Sequence, residues 1–124
     1  MDTEDFHSYL GIIYEVSTAD EVRLRWTVTK RVHQKRGLVH GGAHSSVVEA
    51  AASRGAALWW GDRGGVVGVS NHTDFLRPFG EGELTVSAAP IHRGQSQQLW
   101  EVRTTDGEQR LIARGQVRFQ NLRA

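Results

Sequence analysis

Between residues 21 and 29 the chain alternates strictly: Val22, Leu24, Trp26 and Val28 fall on one side of an extended backbone, and Glu21, Arg23, Arg25, Thr27 and Thr29 on the other. A period of two predicts a half-buried strand. Residues 10–16 form a shorter β-rich run ahead of it, separated by the turn residues Ser17, Thr18, Ala19 and Asp20. Four more strand-like runs follow later, at residues 66–77, 83–92, 97–104 and 109–120. Leu84, Val86 and Ala88 alternate in the second of these, and Leu111, Ala113, Val117 and Phe119 in the fourth, opposite Arg114, Gln116 and Arg118. The last links are short, and Asp106-Gly107 carries a hairpin signal.

From residue 42 to residue 60 the pattern changes. Ala, Val, Leu and Trp fill 11 of the 19 positions without alternation, which predicts a helix apolar around most of its circumference and so enclosed by the rest of the domain. Ser46, Glu49 and Ser53 are polar exceptions at i, i+3 and i+7, which places them on one helical face. An ionised carboxylate buried there is costly unless something compensates it, so Glu49 is the first candidate for chemistry. Residues 61–65, Gly-Asp-Arg-Gly-Gly, end the helix. Residues 30–39 have no period and carry Lys30, Arg31, Lys35 and Arg36, which reads as a loop with solvated charges. Two strands, one enclosed helix and four strands in an antiparallel meander leave the sheet one way to cover the helix, which is to curl around it. This is the α+β layout of a hotdog fold, as a single domain over residues 1–124.

Composition narrows the function. A length of 124 residues supports one hydrophobic core, and 39% hydrophobic with 23% charged residues excludes a disordered chain. A net charge of +1 offers no broad basic surface, so nucleic acid is not an expected partner. The absence of cysteine excludes disulfides, thiolate nucleophiles and thiolate-bound zinc, and suits a cytoplasmic location. The acidic start, Met-Asp-Thr-Glu-Asp-Phe-His, lacks the features of a secretory signal. No run spans a membrane, because the most apolar stretch is interrupted by His40, His44, Glu49 and Arg54. His40 and His44 stand four apart, but Glu49 is five residues past His44, about 500° around the axis, a poor convergence for metal ligands. No metal site is expected.

The ordered set Gln34, His40-Gly41-Gly42, Glu49 and Ser53 resembles the active-site pattern of hotdog-fold acyl-CoA thioesterases. The likeness runs from residue 37 to the C-terminus and takes in Val66-Val67-Gly68, Leu76-Arg77, Ile91-His92-Arg93-Gly94 and Gln98-Leu99-Trp100. It is strongest to the subgroup of Arthrobacter-type 4-hydroxybenzoyl-CoA and 1,4-dihydroxy-2-naphthoyl-CoA thioesterases, whose helix acid is Glu; the related phenylacetate-pathway enzymes usually have Asp. The resemblance implies an acyl-CoA substrate with an aromatic or other ring-bearing acyl group. It also implies a homotetramer built as a dimer of dimers with active sites at the dimer interface, and no cofactor beyond the CoA of the substrate.

Thioester hydrolysis needs a group that polarises the carbonyl and one that delivers or becomes the nucleophile. The N–H groups of Gly41 and Gly42, at the helix start, are candidates for the first task. Glu49 suits the second, as nucleophile through a mixed anhydride or as general base on water, and both stay open. By resemblance Gln34 contacts the thioester carbonyl or the water. His40 is read as fixing the loop against the helix or hydrogen-bonding near the thioester. Ser53 either supports Glu49 and the water or bonds back to the i−4 carbonyl. Arg77, His92 and Arg93 are candidates for the CoA phosphates, although Gln95 stands where the subgroup tends to have Arg after the Gly of its His-x-Gly segment. Trp59, Trp60 and Trp100 read as core or interface anchors. Two rival readings are an acyl-thioester hydratase or dehydratase and a non-catalytic acyl-CoA binding or regulatory module.

Overall fold

A computed structural model describes residues 5–124; the acidic start at residues 1–4 lies outside them. The chain forms a short helix α1 (Phe6–Leu10), strands β1 (Ile12–Ser17) and β2 (Val22–Val28), the long helix α2 (Gly41–Trp60), and strands β3 (Gly64–Phe75), β4 (Gly82–Arg93), β5 (Gln97–Thr105) and β6 (Leu111–Arg123). All six strands pair antiparallel in one sheet, ordered β1-β2-β4-β5-β6-β3. The sheet packs around α2 as a hotdog fold. Val47, Val48, Ala51, Ala52 and Ala56 of the helix share one core with Leu24, Trp26, Val86, Trp100, Val117 and Phe119 of the strands.

The alternation in residues 21–29 becomes β2, where Val22, Leu24, Trp26 and Val28 are buried. Two expectations are corrected. Leu10 closes α1 instead of opening a strand: Asp5 accepts a hydrogen bond from the Ser8 N–H at 2.8 Å, and Gly11 ends the turn at a φ of +84°. The simple meander holds only for β4, β5 and β6, because β3 lies at the far edge beside β6 and β4 takes its place beside β2. A physical reason is visible in composition. β2 is buried on its core face and needs partners on both sides, whereas β3 carries Gly65, Gly68, Ser70, Asn71 and His72 without an alternating apolar face, which suits an edge.

Small residues let the sheet close on α2. Gly55 is a notch for the Trp100 indole: a Cβ there would stand 2.5 Å from the ring. At the C-terminal end of the helix, Arg63 donates to the carbonyls of Trp60 at 2.9 Å and Trp59 at 2.8 Å, satisfying groups the helix leaves unpaired. Residues 30–39 contain a 3₁₀ turn, Lys30–Val32, and a bridge between His33 and Val39 that brings the chain back to the start of α2. Among the described residues no helix is long and apolar enough to cross a membrane.

Candidate active site

The sheet leaves the Ser46–Glu49–Ser53 face of α2 uncovered. Glu49 is therefore exposed in the single chain, which corrects the expectation of a fully enclosed carboxylate. The stripe itself is present as expected: Ser46, Glu49 and Ser53 line one cavity of about 290 Å³ together with Phe6, His7 and Ala50. Glu49 Oε1 accepts a hydrogen bond from Asn71 Nδ2 at 3.2 Å. The Ser46 hydroxyl bonds back to the Gly42 carbonyl at 2.7 Å, the local habit of a helical serine.

At the helix start His40 is the N-cap, its Nδ1 accepting from the Gly42 N–H at 2.8 Å. That bond requires an unprotonated Nδ1, and it occupies one of the two N–H groups considered for the oxyanion. The Gly41 N–H makes no hydrogen bond among the described residues. Gly41 is held tightly against Phe75, since a Cβ there would come within 2.7 Å of the ring. Gln34 turns its loop by accepting from the Arg36 N–H and by donating its own N–H to the Leu38 carbonyl at 2.8 Å.

Gln34 and Gly41 line a second cavity, of about 320 Å³, with His44, Phe75, Leu76 and Arg77. His40 and Gly42 line a third of about 200 Å³, which shares Phe6 and Ser46 with the Glu49 cavity. One chain thus brings Glu49 and Ser53 together and sets Gln34 and Gly41 elsewhere around the helix. His92 and Arg93 are in neither place: they line a cavity of about 410 Å³ with Trp59, away from Arg77. Arg93 is already engaged there, donating to the Ala19 carbonyl at 2.8 Å, pairing with Asp20 at 3.1 Å and lying over the Trp59 ring.

His44, in the first turn of α2, is buried. It is only 4% exposed, edge-on to Trp26 and stacked on Phe75, and its Nδ1 has no hydrogen-bond partner among the described residues. Burial lowers its pKa from 6.5 to about 4. Because the unfolded chain takes up a proton at pH 6.5 that the folded chain refuses until about pH 4, stability should fall as pH drops through this window. The full loss is about 3 kcal/mol. Urea unfolding at pH 7.5, 5.5 and 4.5 should show that decline in the wild type, and a His44→Leu variant should remove most of it.

Asn71 and Gln98 are polar residues that pattern reading passes over. Asn71 had a signal, since asparagine is disfavoured within a strand and sits here inside the run from Val66 to Phe75. Gln98 is completely buried beneath α2, donating to the Ala56 carbonyl and to Asn121 and accepting from Trp100.

Residues 36–113 match the family model described as the thioesterase superfamily. AziG of S. sahachiroi has 46% identical residues, with 99% of this chain and 100% of that one aligned at a TM-score of 0.95. The Mycobacterium tuberculosis protein Rv1847 is 43% identical over 98% of this chain and 89% of its own, and its structure superimposes at a TM-score of 0.93 over 96% and 97%. The proofreading thioesterase EntH of Klebsiella pneumoniae is 33% identical over 77% of this chain and 69% of its own. With a family match across most of its length and an open, serine-flanked glutamate on the central helix of a hotdog sheet, the chain belongs to the thioesterase superfamily and is a thioester hydrolase.

Proposed function

We propose that the protein hydrolyses an acyl-CoA carrying an aromatic or other ring-bearing acyl group, with Glu49 as the attacking group or as the base for water. The observation that carries this reading is the Glu49 carboxylate itself, in a cavity with Ser46 and Ser53 and oriented by Asn71. As nucleophile, a Glu49 oxygen bonds to the thioester carbon, the C–S bond breaks with sulfur leaving as a thiolate, and water then cleaves the mixed anhydride, restoring the Glu49 carboxylate and supplying the proton that converts the thiolate to the thiol. As general base, Glu49 takes a proton from water while the water oxygen makes the same attack. In either route the Gly41 N–H is the donor for the developing oxyanion, with Gln34 beside the carbonyl. The aromatic preference is supported by the second cavity, where Phe75 and Phe79 stand beside Gln34 and Gly41.

Completing the site takes a second copy of the chain. Glu49 and the Gln34–Gly41 pair open to different cavities of one chain, and among the described residues β3 has one unpaired edge, with Val67 and Val69 exposed beside it. Pairing two copies across this edge would set Glu49 of one against Gln34 and Gly41 of the other, and two such dimers make the tetramer. The CoA phosphates are assigned to Arg77, His92 and Arg93, with Arg93 exchanging Asp20 for phosphate. A cytoplasmic location belongs to the same reading and is supported by the cysteine-free composition.

The test is a thiol-release assay over aromatic, short and long acyl-CoAs, with products identified by mass. Free CoA and free acid, formed fastest from an aromatic thioester by an oligomeric protein, are expected. A hydrated or dehydrated product with its thioester intact, or no CoA from any member of the panel, would overturn the proposal.

A further inference from the structure

The two oxygens of Glu49 are not equivalent. Oε1 is bonded by Asn71 at 3.2 Å. Oε2 lies against the backbone of Gly68, so close that a Cβ there would meet it at 2.9 Å, and no described residue donates to it. Asn71 is in turn held on both sides. Its Nδ2 also donates to the Ser45 carbonyl at 3.0 Å, and its Oδ1 accepts from the Thr73 hydroxyl at 2.7 Å. Turning the amide over would set Oδ1 against two acceptors, the Ser45 carbonyl and the Glu49 carboxylate, so these partners determine which end faces the helix.

Strand geometry explains how one edge strand supplies all of this. In a regular strand Gly68 and Asn71 would point to opposite faces, being three residues apart. The pairing of β3 with β6 shifts between Gly68, opposite Phe119, and Ser70, opposite Arg118, so that one extra residue is accommodated. That bulge restores the parity and brings both Gly68 and Asn71 to the Glu49 carboxylate. Thr73, two residues on, shares the face of Asn71, and across the ladder Gly115 leaves room for it, since a Cβ there would stand 3.0 Å from the Thr73 hydroxyl.

We propose that Asn71, locked by Thr73, is a positioning residue that anchors Glu49 through Oε1 and leaves Oε2 as the oxygen that reacts. This rests on the assignment of Glu49 as the chemical group and adds which of its atoms acts and what aims it. The anchored oxygen shares its charge with a donor and is the weaker base and nucleophile; the other keeps its lone pairs. A carboxylate without its anchor samples other rotamers, and misplacement of a reacting group by about 1 Å costs on the order of 10²-fold in rate.

The experiment compares Asn71→Leu, Thr73→Val and Thr73→Ser with the wild type by thiol release, with folding checked by thermal melts. Asn71→Leu should lower kcat by about 10- to 100-fold at unchanged KM. Thr73→Val, which touches no reacting atom, should lower kcat by a smaller factor, and Thr73→Ser, which keeps the hydroxyl, should restore it. A folded Asn71→Leu variant with kcat within twofold of wild type, or with only KM changed, would overturn the proposal. If Glu49→Gln is fully active, the assignment of Glu49 is what fails. Crystals of Asn71→Leu decide the anchoring without turnover: several Glu49 conformations support it, and a carboxylate unmoved from its wild-type position refutes it.

Discussion

Replacing Glu49 with glutamine should lower kcat for thioester hydrolysis by about 10³-fold and leave the melting temperature unchanged. The replacement keeps the length and an acceptor for the Asn71 amide, so the hydrogen bond at Oε1 survives while the basicity and nucleophilicity are lost. Because Glu49 is exposed in the single chain, its loss of charge has little to do with the folding of that chain. Activity and stability therefore separate cleanly in this variant. Thiol release under single-turnover and steady-state conditions checks the first, and calorimetry the second; a folded variant with near-wild-type kcat would remove Glu49 from the mechanism. Label found in Glu49 by mass spectrometry after a single turnover in H₂¹⁸O identifies the nucleophilic route. In a single turnover the nucleophilic route can pass the label into Glu49, and the general-base route leaves it in the product acid alone.

The second large effect is on stability. Gln98→Leu, a substitution that raises hydrophobicity at a fully buried position, should destabilise the fold by about 3 kcal/mol. Gln98 Nε2 reaches the Ala56 carbonyl at 3.1 Å and Asn121 Oδ1 at 2.9 Å, and its Oε1 takes the Trp100 indole N–H at 2.8 Å. Leucine leaves the indole N–H without an acceptor and Asn121 Oδ1 without its donor, in a place where Trp100 and Gln98 are sealed from water. Urea unfolding measures the difference. A loss below about 1 kcal/mol would show that these groups find other partners.

The sequence made the central helix and β2 plain because each is a strong period: small apolar residues without alternation in one, a strict two-residue repeat in the other. It was weaker where structure depends on distant partners. The place of β3 at the sheet edge is decided by what β2 and β6 need beside them, and the local run from Val66 to Phe75 reads the same at an edge or in the middle. The five residues of α1 are too few for a period, although Asp5 and Gly11 signal both of its ends. In the site, the Ser46–Glu49–Ser53 stripe was legible because helical spacing alone places those residues together. Its exposure was not, since an apolar helix surface looks the same whether its own sheet or another copy covers it. Asn71 stands out as an asparagine within a strand, but its face was hidden: the bulge shifts the strand by one residue, and a parity count from Gly68 assigns it to the wrong side.

Gly55 and Trp100 have a consequence for the far side of the helix. The buried face of α2 is mostly alanine and valine, and so smooth a face in a curved sheet can roll about the helix axis at little cost. The indole seated in the Gly55 notch is a key in a slot, and it sets the rotational phase of α2. Glu49 lies six residues earlier, about 240° around the axis, so the direction in which the carboxylate looks out is set by a fit on another face of the helix.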